Sequence, residues 1–320
     1  MSQPSPSPRI SSTSETRLAF RMRIGLVLHP RRDAMPAAGM IVRWARSHGA
    51  EIMVDVKDAP RCPDGVSAVA ADELAQRADA LVSIGGDGTM LGALRLVAGR
   101  PVPVLGVNLG RLGFLVEVEP EDLTAALDRI ERREFTIEEH GAVVLSAGRE
   151  QLVAFNEIAL TRVPGEGLVQ AALVVAGRPA GRYRCDALVI ATPTGSTAYS
   201  YAAGGPVVSP ALDAVIVSAA APLSGVARPV VVSAAEPLQL RLLDESGPPA
   251  LEADGIVVRR AEPGERLDVR LRPGAGQVVR LDPERYQRRK QVKLSLLDLP
   301  FLPDEMRDLL PPPPGSVPDR

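Results

Sequence analysis

The chain has 320 residues, 45% hydrophobic and 24% charged, with a formal net charge of -2. That is material for two globular domains, and the near-neutral balance argues against holding nucleic acid by a general basic field. Aromatic residues make up only 3%, which also argues against base-stacking platforms.

Two cysteines, Cys62 and Cys185, cannot build a disulfide framework, and with the three histidines His29, His48 and His140 they make no zinc pattern. A reducing, cytosolic setting is the simplest expectation. Residues 1–21 are rich in Ser, Pro and Arg and read as a disordered tail without the apolar core of a secretory signal. The longest apolar stretch, Ala214 to Val232, contains Pro222, Arg228 and Pro229, so no membrane helix is expected. One asymmetry bears on phosphate chemistry. Lysine occurs only at Lys57, Lys290 and Lys293, and 34 of the 37 basic residues are arginine. Between residues 58 and 289, phosphate has to be met by arginine, backbone amides or a metal.

In chain order, Ile24–Leu28 is a predicted strand. Ala37, Met40, Ile41, Trp44 and Ala45 then follow helical spacing, with Gly49 as the stop. Strands are predicted at Ile52–Val56, Ala80–Ile84 and Pro103–Val107, with helices at Thr89–Ala98 and Glu121–Arg132. This alternation predicts an α/β domain over residues 22–135 with a largely parallel sheet. From residue 136 to 282 the pattern changes to short β-branched runs: Leu152–Leu160, Leu168–Val175, Ala187–Ala191, Ala214–Val217, Val230–Ser233, Leu238–Leu242, Ile256–Val258 and Leu267–Leu271. An antiparallel all-β domain is expected there. Residues 283–310 turn charged and helical again, notably Asp304–Leu310, and 311–320 read as a proline-rich disordered tail.

Four segments can carry chemistry. In Leu81–Thr89 an apolar strand ends in Gly85, Gly86 and Gly88 around Asp87. Glycines admit a ligand close to the backbone, and the amides of a following helix favour an anion. A carboxylate beside a phosphate site fits a general base for a hydroxyl nucleophile. The same residues also fit a plain strand-to-helix turn capped by Asp87. No Walker motif, dinucleotide G-x-G-x-x-G or protein-kinase signature is present. The second segment, Pro103–Leu115, holds Gly106, Gly110 and Gly113 around Asn108 and Arg111, either a cleft wall or a glycine-rich connection.

In the third, Asn156 and Glu157 interrupt an apolar run; an amide beside a carboxylate can read a ribose or an adenine edge, or mark a bulge. The fourth runs from Arg184 and Asp186 through Thr192–Tyr201, with seven hydroxyl side chains within 192–201, enough neutral donors and acceptors for a sugar or base. Asp254-Gly255 is a turn signal first and a ligand contact second. Cys185 reads as a small buried hydrophobe.

Together and in this order, these segments resemble the NAD kinase family: Gly85–Thr89 (GGDGT), Gly106–Leu115 (GVNLGRLGFL), Asn156-Glu157, Arg184 and Asp186 with Thr192–Tyr199 (TPTGSTAY), and Asp254-Gly255. GGDGT alone is shared with lipid kinases and phosphofructokinase-like enzymes, whereas TPTGSTAY is far more specific. The resemblance implies a Rossmann-like N-terminal domain, a C-terminal β domain and a final segment returning to the first. It implies transfer of the terminal phosphoryl of ATP, with a divalent cation such as Mg2+, to the 2′-hydroxyl of the adenosine ribose of NAD. Asp87 then accepts the proton, and Gly86 and Gly88 line the phosphate turn. Asn156 and Glu157 hold the adenosine. Arg184, Asp186, Thr197, Ala198, Tyr199, Ser200, Tyr201 and Ala202 complete the dinucleotide pocket across a subunit interface of a dimer or tetramer. No nucleic-acid or membrane partner is implied. The chain departs from the family pattern at Ala187 and Ile256, where glycine and a polar residue are frequent, and in lacking a histidine before Arg228-Pro229.

Overall fold

The structure is a computed structural model that describes residues 22–110, 113, 115–284 and 286. The predicted tails, Arg111 and the helical pattern at Asp304–Leu310 lie outside the described residues.

The first half alternates as its periodicity dictates: β1 (Arg23–Leu28), α1 (Met35–His48), β2 (Glu51–Asp55), β3 (Ser67–Val69), α2 (Ala71–Arg77), β4 (Ala80–Gly85), α3 (Asp87–Leu96), β5 (Pro103–Asn108) and α4 (Leu123–Glu131). The strands lie side by side in the order β3-β2-β1-β4-β5, all parallel. Strand β4 is buried along its whole length, because helices cover both faces and its run is apolar almost throughout. Helices α1 and α4 bury one face with Ile41, Trp44, Leu123, Leu127 and Ile130, and the Trp44 indole N–H donates to Asp128 between them. α1 stops at Gly49 in the left-handed conformation, with φ of 67°. α3 starts two residues before the predicted Thr89, because Gly86 takes the N-cap position and puts Asp87 in the first turn. The short β3 and α2 were not predicted; three strand residues and seven helix residues are too few to show a period.

The second half is antiparallel: β6 (Thr136–Ala147), β7 (Glu150–Ala154), β8 (Glu157–Thr161), β9 (Val169–Val175), β10 (Arg178–Cys185), β11 (Ala187–Ala191), a short α5 (Tyr199–Ala202), β12 (Ala214–Ala220), β13 (Ser224–Gly225), β14 (Val230–Ser233), β15 (Leu238–Leu242), β16 (Ala250–Ala253), β17 (Ile256–Arg260) and β18 (Arg266–Arg280). Strands β14-β12-β11-β8-β16-β17 make a separate six-stranded sheet. The run predicted as one strand at Leu152–Leu160 is broken at Phe155–Asn156, so that β7 joins the larger sheet and β8 the smaller. The chain changes sheets where Asn156 interrupts the apolar run.

The 15-residue β18 unites the molecule. It pairs antiparallel with β15 and β6, and beyond an irregularity at Arg272–Gly276 its Gln277 and Val278 pair parallel with Pro103 and Val104 of β5. The larger sheet therefore runs unbroken from one half into the other. Two cores cover the faces of the parallel sheet and a third fills the space between the two β sheets.

Candidate active site

In an open α/β sheet, ligands collect outside the carboxyl ends of the strands, where the strand order reverses. Here that point lies between β1 and β4. β4 delivers Gly85-Gly86-Asp87 to it. Side chains added at Gly86 or Gly88 would enter open space, so the backbone of this turn is bare toward the crevice. The Leu115 amide donates to Asp87 Oδ1 at 2.9 Å. Gly113 packs so closely on this carboxylate that a Cβ there would collide with it.

Asp87 and Leu115 form one wall of a cleft of about 340 Å³. Asn156, Pro193, Thr194, Thr197, Ala198, Val207–Pro210, His140 and Tyr286 complete its lining. All four predicted motifs thus contribute to one space, the second through Leu115 alone.

The turn that presents Asn156 is clamped from two sides. Asp254, whose side chain is fully buried, accepts the backbone amides of Phe155 (3.2 Å), Asn156 (2.7 Å) and Glu157 (3.3 Å). It is also ion-paired with Arg95, in the last turn of the helix that begins with Asp87. From the other side, the Thr192 hydroxyl donates to the Phe155 carbonyl at 2.7 Å, the Thr192 amide donates to the Asn156 carbonyl at 2.9 Å, and Gly195 lies directly on that carbonyl. Asp254 therefore braces the backbone of the turn.

Glu157 opens β8 opposite Ala191 and is buried. Burial, and next the charge of Asp254, push its carboxyl up to about 7, against the Tyr199 backbone amide that favours the ionised form. A second charged group flanks the cleft. Burial opposes ionisation of Glu138, but the hydrogen bonds and charges of His140 and Arg280 prevail and hold it at about 2. The Arg280 guanidinium also donates to the Leu115 carbonyl at 2.8 Å and stacks over the Tyr286 ring. Leu115, whose amide touches Asp87, is thus held at its carbonyl as well.

The hydroxyl-dense loop divides its work. Thr194, Thr197 and Ala198 face the cleft. Ser196 is buried, donates to the Pro193 carbonyl at 2.6 Å and accepts the Val208 amide, fixing the back wall. Ser200 is turned inward, 3.1 Å from Ser218. Tyr199, Tyr201 and Ala202 lie on α5, outside the cleft lining. Arg184 is exposed on β10, and Asp186 is ion-paired with Arg162; neither lines the cleft within one chain. Asn108 binds the Gly110 backbone and Glu119, so it shapes its own loop. Cys185 is fully buried with its thiol pushed up to about 12 by burial, as a small hydrophobe would be.

Sequence reasoning missed His140, Tyr286, Val207–Pro210, Arg95 and the Glu138–Arg280 pair. Each stands alone in its segment, and only the fold brings them together.

A bare-backbone turn bearing a carboxylate, at a parallel-sheet switch point and in one cleft with Asn156 and a threonine-lined loop, fits a phosphotransferase that acts on a nucleotide hydroxyl. Two family models match the chain: the ATP-NAD kinase N-terminal domain over residues 24–135 and the ATP-NAD kinase C-terminal domain over residues 155–281. NAD kinase 1 of Streptomyces avermitilis is 34% identical over 319 residues, covering 87% of this chain and 88% of that protein. The NAD kinase of Symbiobacterium thermophilum is 37% identical, over 68% of this chain and 78% of that protein. An NAD kinase from Archaeoglobus fulgidus, solved in complex with ATP, superposes with a TM-score of 0.66 at 28% identity, over 86% of this chain and 99% of that one. The fold is shared with yeast NADH kinase at a TM-score of 0.73 and 22% identity, over 88% and 89% of the two chains. The chain belongs to the ATP-NAD kinase family.

Proposed function

We propose that Asp87 is the proton acceptor in the ATP-dependent phosphorylation of NAD to NADP, the reaction of this family. The observation that carries this reading is the Asp87 carboxylate, held by the Leu115 amide in the cleft that Asn156, Thr197 and Ala198 also line. The adenosine of NAD lies in that cleft, bound by Asn156 and Glu157, with its 2′-hydroxyl toward Asp87. The hydroxyl oxygen bonds to the γ-phosphorus of ATP as the bond to the β–γ bridging oxygen breaks. ADP leaves with that electron pair, the hydroxyl proton passes to Asp87, and solvent later removes it. Such a transfer needs positioning and charge neutralisation more than covalent help. The amides at the start of α3 and the bare backbone at Gly86 and Gly88 supply part of both.

Among the described residues, no cluster of three ligating side chains could hold a metal. A single carboxylate at the cleft fits a magnesium ion that arrives on the nucleotide and takes most of its ligands from phosphate and water. When bound, that ion neutralises the phosphate oxygens. The position of Asp186 near Tyr199, away from the cleft of one chain, suits a dinucleotide pocket completed by a second copy in a dimer or tetramer. The edge strand β17, with Ile256, Val257 and Val258 all exposed, supports such assembly. No helix among the described residues is long and apolar enough to cross a membrane, and two free thiols suit a cytosolic setting.

The test compares NADP formation from NAD and magnesium-ATP by the wild type and Asp87→Asn. The variant should bind NAD normally and lose about 10²- to 10⁴-fold in kcat. A variant that retains wild-type kcat removes Asp87 from the role of base.

A further inference from the structure

We infer that Arg31 and Arg32, held in place by Arg61, are the cationic seat for the phosphate chain of the donor nucleotide. This deepens the reading of Asp87 as the base and rests on it for the position of the acceptor. An in-line displacement puts donor and acceptor on opposite sides of the transferred phosphoryl. The cleft that faces Asn156 takes the acceptor, so the donor has to approach Asp87 from the other side. That side is the crevice between the carboxyl ends of β1 and β4, the switch point of the sheet.

The loop after β1 brings Arg31 and Arg32 to this crevice, and Arg61 reaches it from the segment between β2 and β3. The His29 amide donates to the Ile84 carbonyl at 2.9 Å, which sets His29 against Gly85, one residue before Gly86. The amides of Arg31 and Arg32 both donate to His29 Nδ1, at 3.1 and 3.0 Å, and fold the loop around the ring. Burial, then the charges of Arg32, Arg61 and Arg31, hold the imidazole pKa down, which keeps that nitrogen an acceptor. Arg61 is committed to structure: it pairs with Asp58 and donates to the carbonyls of His29 (2.6 Å) and Arg32 (3.0 Å). Arg32 reaches across the crevice, donating from one guanidinium nitrogen to the Leu109 carbonyl at 2.6 Å and lying against Gly110. Its group therefore spans the ends of β1 and β5, while the Leu109 amide bonds to the Gly85 carbonyl of β4 between them.

Arg31 and Arg32 are exposed and, among the described residues, have no carboxylate partner. The two acids of the neighbourhood are engaged elsewhere: Asp58 by Arg61, and Asp33 by the Met35 amide at the start of α1. The arginines on the far side of Asp87 are committed too, Arg95 to Asp254 and Arg280 to Glu138 and Leu115. No lysine occurs between residues 58 and 289. Among the described residues, the cations left beside the β4 end at Gly85 are those of the β1 loop. Guanidinium groups bind phosphate oxygens in pairs, which fits a chain of phosphates crossing from this loop to the start of α3.

The test uses the full chain and inorganic tripolyphosphate as a probe that carries no nucleoside. Direct calorimetric titration of the wild type should show binding, and Arg32→Gln and Arg31→Gln should each weaken it about tenfold to a hundredfold. Arg149→Gln, in a distant exposed turn, should leave it unchanged. In turnover assays the same two variants should raise KM for ATP by a similar factor, with NAD affinity within about twofold of wild type. Absence of tripolyphosphate binding in the wild type, or equal binding by Arg32→Gln, overturns the assignment. The titration needs no turnover, so it separates failure of this seat from failure of the proposed role of Asp87.

Discussion

The reach of the Asp87 carboxylate is set by its contacts with Leu115 and Gly113. Because a Cβ at position 113 would collide with the carboxylate, Gly113→Ala should displace Asp87 by a fraction of an ångström. Displacements on that scale cost about a hundredfold in rate when geometry governs the step. The expected result is a kcat about a hundredfold lower, with NAD affinity within about threefold, read from steady-state kinetics beside direct titration. Glu157 supplies a pH signature. Its folded pKa of about 7 lies above the unfolded value, so the protonated form is the one that folding favours. The resulting stability is complete below the unfolded pKa and is lost as pH rises through about 7. Melting temperatures of the ligand-free protein should fall from about pH 5 to about pH 8 for this reason, and Glu157→Gln should flatten that slope. An unchanged slope in the variant would assign the pH dependence to another group.

At the scale of elements, α3 is the connecting rod of the site. Its first residue is the proposed base, and Arg95 in its last turn holds Asp254, which in turn holds the amides of the Phe155–Glu157 turn. The helix thus fixes the spacing between the proposed base and the proposed adenosine-binding turn, one from each half of the chain. Asp254→Ala would leave three amides and one guanidinium without their buried acceptor. Breaking one side of such a pair costs about 3–5 kcal/mol. The variant should melt well below the wild type. In whatever fraction remains folded, the KM for NAD should rise more than kcat falls, because the turn proposed to bind adenosine is loosened while the Leu115–Asp87 contact stays. Loss confined to kcat would mean that Asp254 serves the base and not the turn.

For the whole molecule, the consequence of β18 is mechanical. One strand is hydrogen-bonded to β15 and β6 of the antiparallel part and to β5 of the parallel part. Gly276, at the passage, sits so close to Phe155 and Leu94 that any side chain would collide with both halves. The two parts are therefore expected to unfold together. Trp44, the single tryptophan, lies in the α/β half, whereas the backbone amides of β9 and β15 lie in the antiparallel half. Denaturant transitions followed by Trp44 fluorescence and by hydrogen exchange of those β9 and β15 amides should coincide. Two separated transitions would show that β18 does not couple the halves.

Local chemistry was legible in the sequence. Periodicity separated an α/β half from an antiparallel half, and the glycines around Asp87, the Asn156-Glu157 interruption and the Thr192–Tyr201 hydroxyls marked three parts of the cleft, because each signal lies within ten residues or fewer. Chain order could not reveal which hydroxyls serve the fold: Ser196 and Ser200 look like Thr194 and Thr197 until burial separates them. Nor could it reveal that the apolar run through Asn156 changes sheets, or that Asp254 clamps the turn from 98 residues away. The arginines of the β1 loop carry no motif. They matter because parallel strands β1 and β4, distant in sequence, end side by side. Composition and spacing determined the kinds of groups available. Only the tertiary structure decided which of them share a cleft, because hydrogen bonding and burial act through space between segments that the chain keeps apart.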